Sequence, residues 1–243
     1  MRLYEFEAKR LFRRSGIPVL DGVVAGGIDD EGLNKITYPV VVKAQTFLGG
    51  RGKAGLIKTA STRKEVEEGI RSLIGRFHGP YRIDKVLLEK KIDIEKELYI
   101  SIIIDRLEHK FCVITCAEGG VEIEEVAAQN PELIHKYYFS PSDDFSQYHS
   151  RFIAGELGLS GAMLRSGALV VYNLFNLFTG FDCKLAEINP LVITKDKKIY
   201  ALDAKIDLDE DAMFRHPELN MLTLMVISVF SRVGQVSGLP QLT

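Results

Sequence analysis

The chain has 243 residues, 46% hydrophobic and 26% charged, enough to bury an ordinary core as one large domain or two small lobes. Its 31 basic and 33 acidic residues leave a net charge of −2, so the global positive field that holds a nucleic acid is absent and no such partner is expected. The longest apolar run, 221–230, is about half the roughly 20 residues a bilayer span needs, and the charged N-terminus is unlike a signal peptide.

Residues 3–14 repeat apolar positions at helical spacing, with Tyr4, Ala8 and Leu11 on one side and Ser15-Gly16-Ile17-Pro18 as the stop. Val19 to Ala25 reads as a short β-branched strand, and Gly26-Gly27 with Asp29 to Gly32 as a loop or weak helix start. Pro39 opens Val40-Val41-Val42-Lys43, a buried strand, and after a glycine-rich turn Gly55 to Thr59 reads as its return. Thr62 and Glu65 form a capping box for a helix carrying Val66, Ile70 and Leu73 and ending near Gly75. Lys85 to Glu89, Glu97 to Asp105 and Lys110 to Cys116 are expected to make a three-stranded antiparallel meander. Leu164, Ala168, Val171, Phe175 and Phe178 mark a long helix over about 161–179. Leu185 to Thr194 and Ile199 to Ile206 read as a hairpin around Lys195 to Lys198. Mixed strands and helices with mostly local hairpins point to α+β lobes.

Gly49-Gly50-Arg51-Gly52-Lys53-Ala54-Gly55, directly after the strand ending at Lys43, has four glycines and two cations in seven residues. Glycine lets backbone N–H groups turn toward an anion, so the segment suits a phosphate cradle; a plain hairpin is the other reading. It matches neither the Walker pattern, since no hydroxyl follows Lys53, nor the Rossmann order of glycines. Lys43, at the end of an apolar strand, is a candidate phosphate ligand, because an ammonium there needs an anion. Glu89 and Glu97, at strand ends flanking the loop Lys90 to Lys96, can accept from a base or a ribose hydroxyl. Glu187-Ile188-Asn189-Pro190 and Leu202-Asp203-Ala204-Lys205 set polar groups inside apolar strands, where oxygen ligands suit a divalent ion bridging phosphates. A three-residue turn pairing Thr194 with Lys198 places Asn189 opposite Asp203, Cβ atoms about 5 Å apart. A two- or four-residue turn sends them to opposite faces, and the sequence leaves both open. The cysteines Cys112, Cys116 and Cys183 read as core residues of a reducing compartment. His78, His109, His135, His149 and His216 show no ligand spacing.

Together these segments resemble the β-subunit of succinyl-CoA synthetase, whose members open with a Leu-His-Glu-Tyr-Gln-Ala-Lys-type helix where this chain has Leu3-Tyr4-Glu5-Phe6-Glu7-Ala8-Lys9. The likeness continues through Val41 to Gln45, Gly49 to Gly55, Lys96 to Tyr99, Glu118 to Glu124, Glu187 to Val192, Leu202 to Lys205 and Phe214 to Leu219. It implies an ATP-grasp fold of two α+β subdomains over 1–219, the smaller lobe at about 21–105. Lys43 then meets the phosphates and Gly50, Arg51 and Gly52 form the covering loop. Glu89, Ile92 and Glu97 surround base and ribose, while Asn189 and Asp203 hold Mg2+.

In that family an acid, CoA and ATP or GTP give an acyl-CoA through an acyl phosphate and a phosphohistidine, within the tricarboxylic acid cycle. The histidine belongs to a partner α-subunit, so none of the five here is given that role. Malate–CoA ligase, citryl-CoA synthetase and the ATP-citrate lyase β-part share the ATP-grasp piece, and a non-catalytic nucleotide-binding module is the remaining alternative. The acid and the choice between ATP and GTP stay open. The flavodoxin-like ligase domain of the family is not expected after Leu219, where 220–243 is an apolar tail with no acidic residue and one cation, Arg232. The resemblance thus implies a chain that binds Mg-nucleotide but makes little acyl-CoA alone, located in the cytoplasm, or in the mitochondrial matrix of a eukaryote.

Overall fold

The structure, a computed structural model, describes residues 1–219; the apolar tail 220–243 lies outside the described residues. The chain opens with helix α1, Glu5–Arg14, then strand β1, Gly22–Ala25, a 3-10 turn at Glu31–Lys35, and strands β2, Val40–Ala44, and β3, Ile57–Ala60. Helix α2, Arg63–Leu73, is followed by a small hairpin of β4, Phe77–His78, and β5, Tyr81–Arg82, and by β6, Val86–Lys90. Next come β7, Ile94–Asp105, β8, Lys110–Cys116, helix α3, Ile123–Gln129, and β9, Ile134–Phe139. Helices α4, Gln147–Glu156, and α5, Gly161–Gly180, precede β10, Cys183–Thr194, β11, Ile199–Ala201, and β12, Lys205–Leu208.

Two antiparallel sheets organise these elements: one of order β1-β6-β2-β3, the other β11-β10-β7-β8-β9 with β12 also on β10. In the smaller sheet Val40, Val42 and Ala44 alternate with Val41 and Lys43, so one face buries Val42 against Val66, Ile70 and Leu73 of α2. Thr62 caps α2 by accepting the Glu65 N–H at 3.2 Å, and Glu65 returns to the N–H of Ser61 at 2.8 Å. The opposite face, carrying Lys43 and Glu89, turns toward α1, whose Glu5 and Lys9 meet them. In the larger sheet Leu98, Ile100, Ile188 and Leu191 pack beneath α1 and α5, with Phe145 stacked on Phe175 at a centroid distance of 3.9 Å. Each fully buried side chain of this size contributes about 1.5–3 kcal/mol.

The expected three-stranded meander is corrected. Val86–Lys90 leaves β7 and β8 and inserts between β1 and β2, because Val86 and Leu88 complete the core under α2. Ile94–Asp105, which the resemblance put within a smaller lobe reaching about 105, hydrogen-bonds in the larger sheet, where Leu98, Ile100 and Ile102 join its core; the chain crosses between sheets at 91–93. Helices α3 and α4, strand β9 and the β4–β5 hairpin had no counterpart in the expectation. β9 has no fully buried residue, only half-buried Ile134, His135, Tyr137 and Phe139, and α3 has one buried side chain, Val126, so neither shows a strong apolar period.

The β10–β11 hairpin takes the three-residue turn. Leu191 faces Ala201 and Ile193 faces Ile199, Thr194 N donates to Lys198 O at 2.9 Å, and Lys197 adopts φ 59°. On the other side of β10 the ladder to β7 shifts between Ile188 and Leu191, where Pro190 has no N–H to donate. The second hairpin strand, expected to run unbroken to Ile206, is interrupted at 202–204. There the Leu202 carbonyl accepts Lys9 Nζ and Lys43 Nζ at 2.7 Å each, and a ladder cannot use that oxygen as well.

Candidate active-site cleft

Between the smaller sheet's charged face and the β10–β12 edge lies a cleft of about 360 Å³, lined by Lys43, the 46–53 loop, 120–122, Asn189, Pro190 and 202–205. Lys43 reaches it from the end of β2, buried at 5% exposure, with Nζ 3.0 Å from Glu5 Oε1 and 2.7 Å from Glu89 Oε2. Burial lowers the pKa of an ammonium, but Glu5, Glu89 and Asp203 more than offset it and hold Lys43 charged, above the ordinary lysine range.

Gly50, Arg51 and Gly52 form the loop between β2 and β3 and line the same cleft with Lys53. Gly50 sits at φ 72°, which an L side chain rarely adopts, and a Cβ on Gly52 would meet nothing within 4 Å; the backbone there is bare toward the cleft. Arg51 Nη1 donates to Glu5 Oε2 at 2.5 Å and Ala44 O at 3.1 Å, while Nη2 donates to Asp203 Oδ2 at 2.6 Å. Burial works against its charge, and Asp203 and Glu5 outweigh burial and raise it. Lys53, exposed, pairs with Glu125 of α3, so the loop also touches the larger sheet's side.

Asn189 and Asp203 fall opposite one another in the register set by Leu191–Ala201 on one side and Glu187–Lys205 on the other, and both line the cleft. Asn189 Oδ1 accepts the Gly120 N–H at 2.8 Å and its Nδ2 donates to Val121 O at 2.9 Å. Asp203 Oδ1 accepts its neighbour Ala204 N–H at 2.7 Å. An amide oxygen and a carboxylate, with no cluster of three His, Cys, Asp or Glu among the described residues, suit a hard cation completed by phosphate oxygens and water. Beside them Glu187 receives the Tyr99 hydroxyl at 3.2 Å, and burial pushes its carboxyl up despite Lys205.

The remaining sequence candidates do not line this cleft. Glu89 is 2% exposed, and both of its oxygens lie 2.6 Å from Lys9 Nζ. It borders a second cleft of about 380 Å³ with Val19, Leu20, Lys90 and Tyr200. Ile92, half-buried in the 91–93 crossing, and Glu97 on β7 line neither cleft. Burial raises the Glu97 carboxyl, whose Oε2 lies against Gly120; a Cβ there would come within 2.1 Å.

Two residues with no assigned role sit at the centre of the ion group. Glu5 and Lys9, one turn apart on α1, are 4% and 5% exposed, with Lys9 Nζ 3.0 Å from Glu5 Oε1. Burial alone would raise the Glu5 carboxyl, but Arg51, Lys43 and Lys9 hold it well below the usual carboxylate range. The Lys9 ammonium is lowered by burial and by Lys43, against Glu5 and Glu89. The sequence carries a signal for both: they share a helical side with Ala8 and Phe12, each at 0% exposure, where charge needs a partner.

A family profile described as "ATP-grasp domain" matches residues 2–193. The succinate–CoA ligase [ADP-forming] subunit beta of Methanocaldococcus jannaschii is 44% identical over 216 residues, 89% of this chain and 59% of that protein. The succinate–CoA ligase [GDP-forming] subunit beta of Thermus thermophilus is 42% identical over 223 residues, 90% of this chain and 58% of its own length. The chain therefore spans under two thirds of these relatives. Among solved structures, PH1788 from Pyrococcus horikoshii superposes with a TM-score of 0.70 at 18% identity, covering 86% of this chain and 92% of that one, a likeness of fold. Among the described residues no helix is long and apolar enough to cross a membrane.

Proposed function

Because this chain belongs to the ATP-grasp family, we propose that it is the nucleotide-binding part of an acid–CoA ligase β-subunit of the succinate–CoA ligase kind, ADP- or GDP-forming. One observation carries the reading. Lys43, the Gly50–Gly52 loop, Asn189 and Asp203 come from both sheets and line a single cleft.

In this reading Lys43, Arg51 and the bare N–H groups of the glycine loop take the phosphates, donors already oriented before the ligand arrives. Asn189 and Asp203 hold Mg2+, whose charge, when bound, neutralises the phosphoryl oxygens. The protein's own task is positioning: two cations and a loop fix the terminal phosphoryl, and in phosphoryl transfer positioning with electrostatics is most of what a protein supplies. The receiving group would be a histidine of a partner α-subunit, and the step would serve acyl-CoA formation in the tricarboxylic acid cycle. The base would enter the second cleft, against Leu20 and Tyr200; Ile92 and Glu97, which line neither cleft, would meet base or ribose only as the nucleotide binds. Glu89, whose carboxylate is held by Lys9 and Lys43, serves by fixing Lys43.

Isothermal titration of the chain with ADP or GDP and magnesium tests this. Saturable one-to-one binding that the metal strengthens is expected; heats equal to dilution for both nucleotides would refute it.

A further inference from the structure

The two terminal nitrogens of Arg51 have different surroundings. Nη1 bonds Glu5 Oε2 and the Ala44 carbonyl, in a spot where the Glu5 side chain is 2% exposed. Nη2 bonds Asp203, whose side chain is 36% exposed and faces the cleft. Breaking the first contact strands a buried charge, which is costly; the second involves a carboxylate that water can reach, so giving it up costs less.

Glu5 is well made for an anchor. Its carboxylate takes Lys43 and Lys9 at 3.0 Å on Oε1, and Gln45 Nε2 at 3.3 Å with Arg51 on Oε2. It also stands in the first turn of α1, where the helix dipole favours an anion. Both candidate phosphate cations thus bond to one carboxylate from a helix outside either sheet.

We propose that Glu5 is a positioning residue for the cleft: it fixes Arg51 through Nη1 and leaves Nη2 as a donor shared between Asp203 and a nucleotide phosphate. Without a metal Asp203 retains Nη2 and repels phosphate. When a divalent cation takes Asp203, Nη2 turns to a phosphoryl oxygen, so metal and nucleoside diphosphate favour each other's binding. This rests on the cleft being a Mg-nucleotide site.

Calorimetry with ADP, with magnesium or with EDTA, on the full chain tests the proposal. Asp203→Asn is expected to tighten metal-free ADP about tenfold, and the gain is expected to vanish in Asp203→Asn/Arg51→Gln. General loss of fold produces no such gain, and a gain that persists without Arg51 reports only relief of repulsion and overturns the shared donor. Glu5→Gln is expected to weaken Mg-ADP about tenfold, with Glu5→Asp, which keeps the charge, falling between it and wild type. Wild-type affinity in Glu5→Gln overturns the anchor. Where Glu5→Gln does not fold, Glu5→Asp decides: a severalfold loss supports the anchor and unchanged affinity overturns it. A wild-type chain that binds no ADP in either condition refutes the nucleotide reading itself, an outcome distinct from these.

Discussion

The Lys43 ammonium lies 2.7 Å from Glu89 Oε2 across the antiparallel pair β2–β6, on the face that looks into the larger sheet. Two residues that the resemblance puts at opposite ends of a nucleotide hold one another, with Lys9 and Glu5 completing the group. Because the cluster is buried, it stays neutral only while each cation keeps its carboxylates.

Lys43→Ala is therefore expected to do two things. It should lower Mg-ADP affinity at least about tenfold by calorimetry, or about 1.4 kcal/mol. It should also destabilise the fold by roughly 3–5 kcal/mol in urea unfolding, since Glu5 and Glu89 lose a buried partner. Loss of affinity in a variant of unchanged stability would contradict the shared ion group.

Asn189→Ala removes an oxygen donor of the cleft and both clasps on the 120–121 backbone. Mg-ADP should bind about tenfold more weakly, while ADP in EDTA should keep its affinity. Equal losses with and without the metal would move Asn189 out of the metal role.

Acid stability should report Glu5. Its folded pKa lies well below its ordinary 4.5, so the stabilisation it brings is complete above that value and drains as pH falls through the folded value. Melting temperatures of wild type should fall on acidification below about pH 4 through this group. Glu5→Gln should show a shallower acid limb; parallel limbs would deny Glu5 the charge-paired state.

Gly119 and Gly52 should respond oppositely to alanine. A Cβ on Gly119 would stand 2.5 Å from the Leu98 carbonyl oxygen, which is backbone and cannot step aside. Gly119→Ala should cost about 2–4 kcal/mol. Gly52→Ala has room in the fold, so its melting temperature should hold while nucleotide affinity falls, because the methyl group stands where phosphate would approach the backbone.

Local chemistry in the sequence was enough for α1, α2, α5, the hairpin and the glycine turn, because their apolar spacing and caps are set by neighbours a few residues away. The register of Asn189 and Asp203 was half legible: both residues stood out as polar groups in apolar strands, but the turn length chose the face, and the 195–197 turn with Lys197 at φ 59° made the choice. The placement of Val86–Lys90 was hidden, since a short apolar run buried continuously from Val86 to Glu89 fits either sheet until the core under α2 is assembled.

By itself the sequence singled out Lys43, Glu89 and Asp203 as polar groups in or at the ends of apolar strands and Arg51 as a cation of the glycine turn; Glu5 and Lys9 on α1 it carried without marking them. Only the tertiary structure decided how they pair. Lys43 meets Glu5 from 38 residues away, Lys9 meets Glu89 from 80, and Arg51 meets Asp203 from 152. A buried charge must find a counter-charge, but nothing local says which; the packing of α1 between two sheets does.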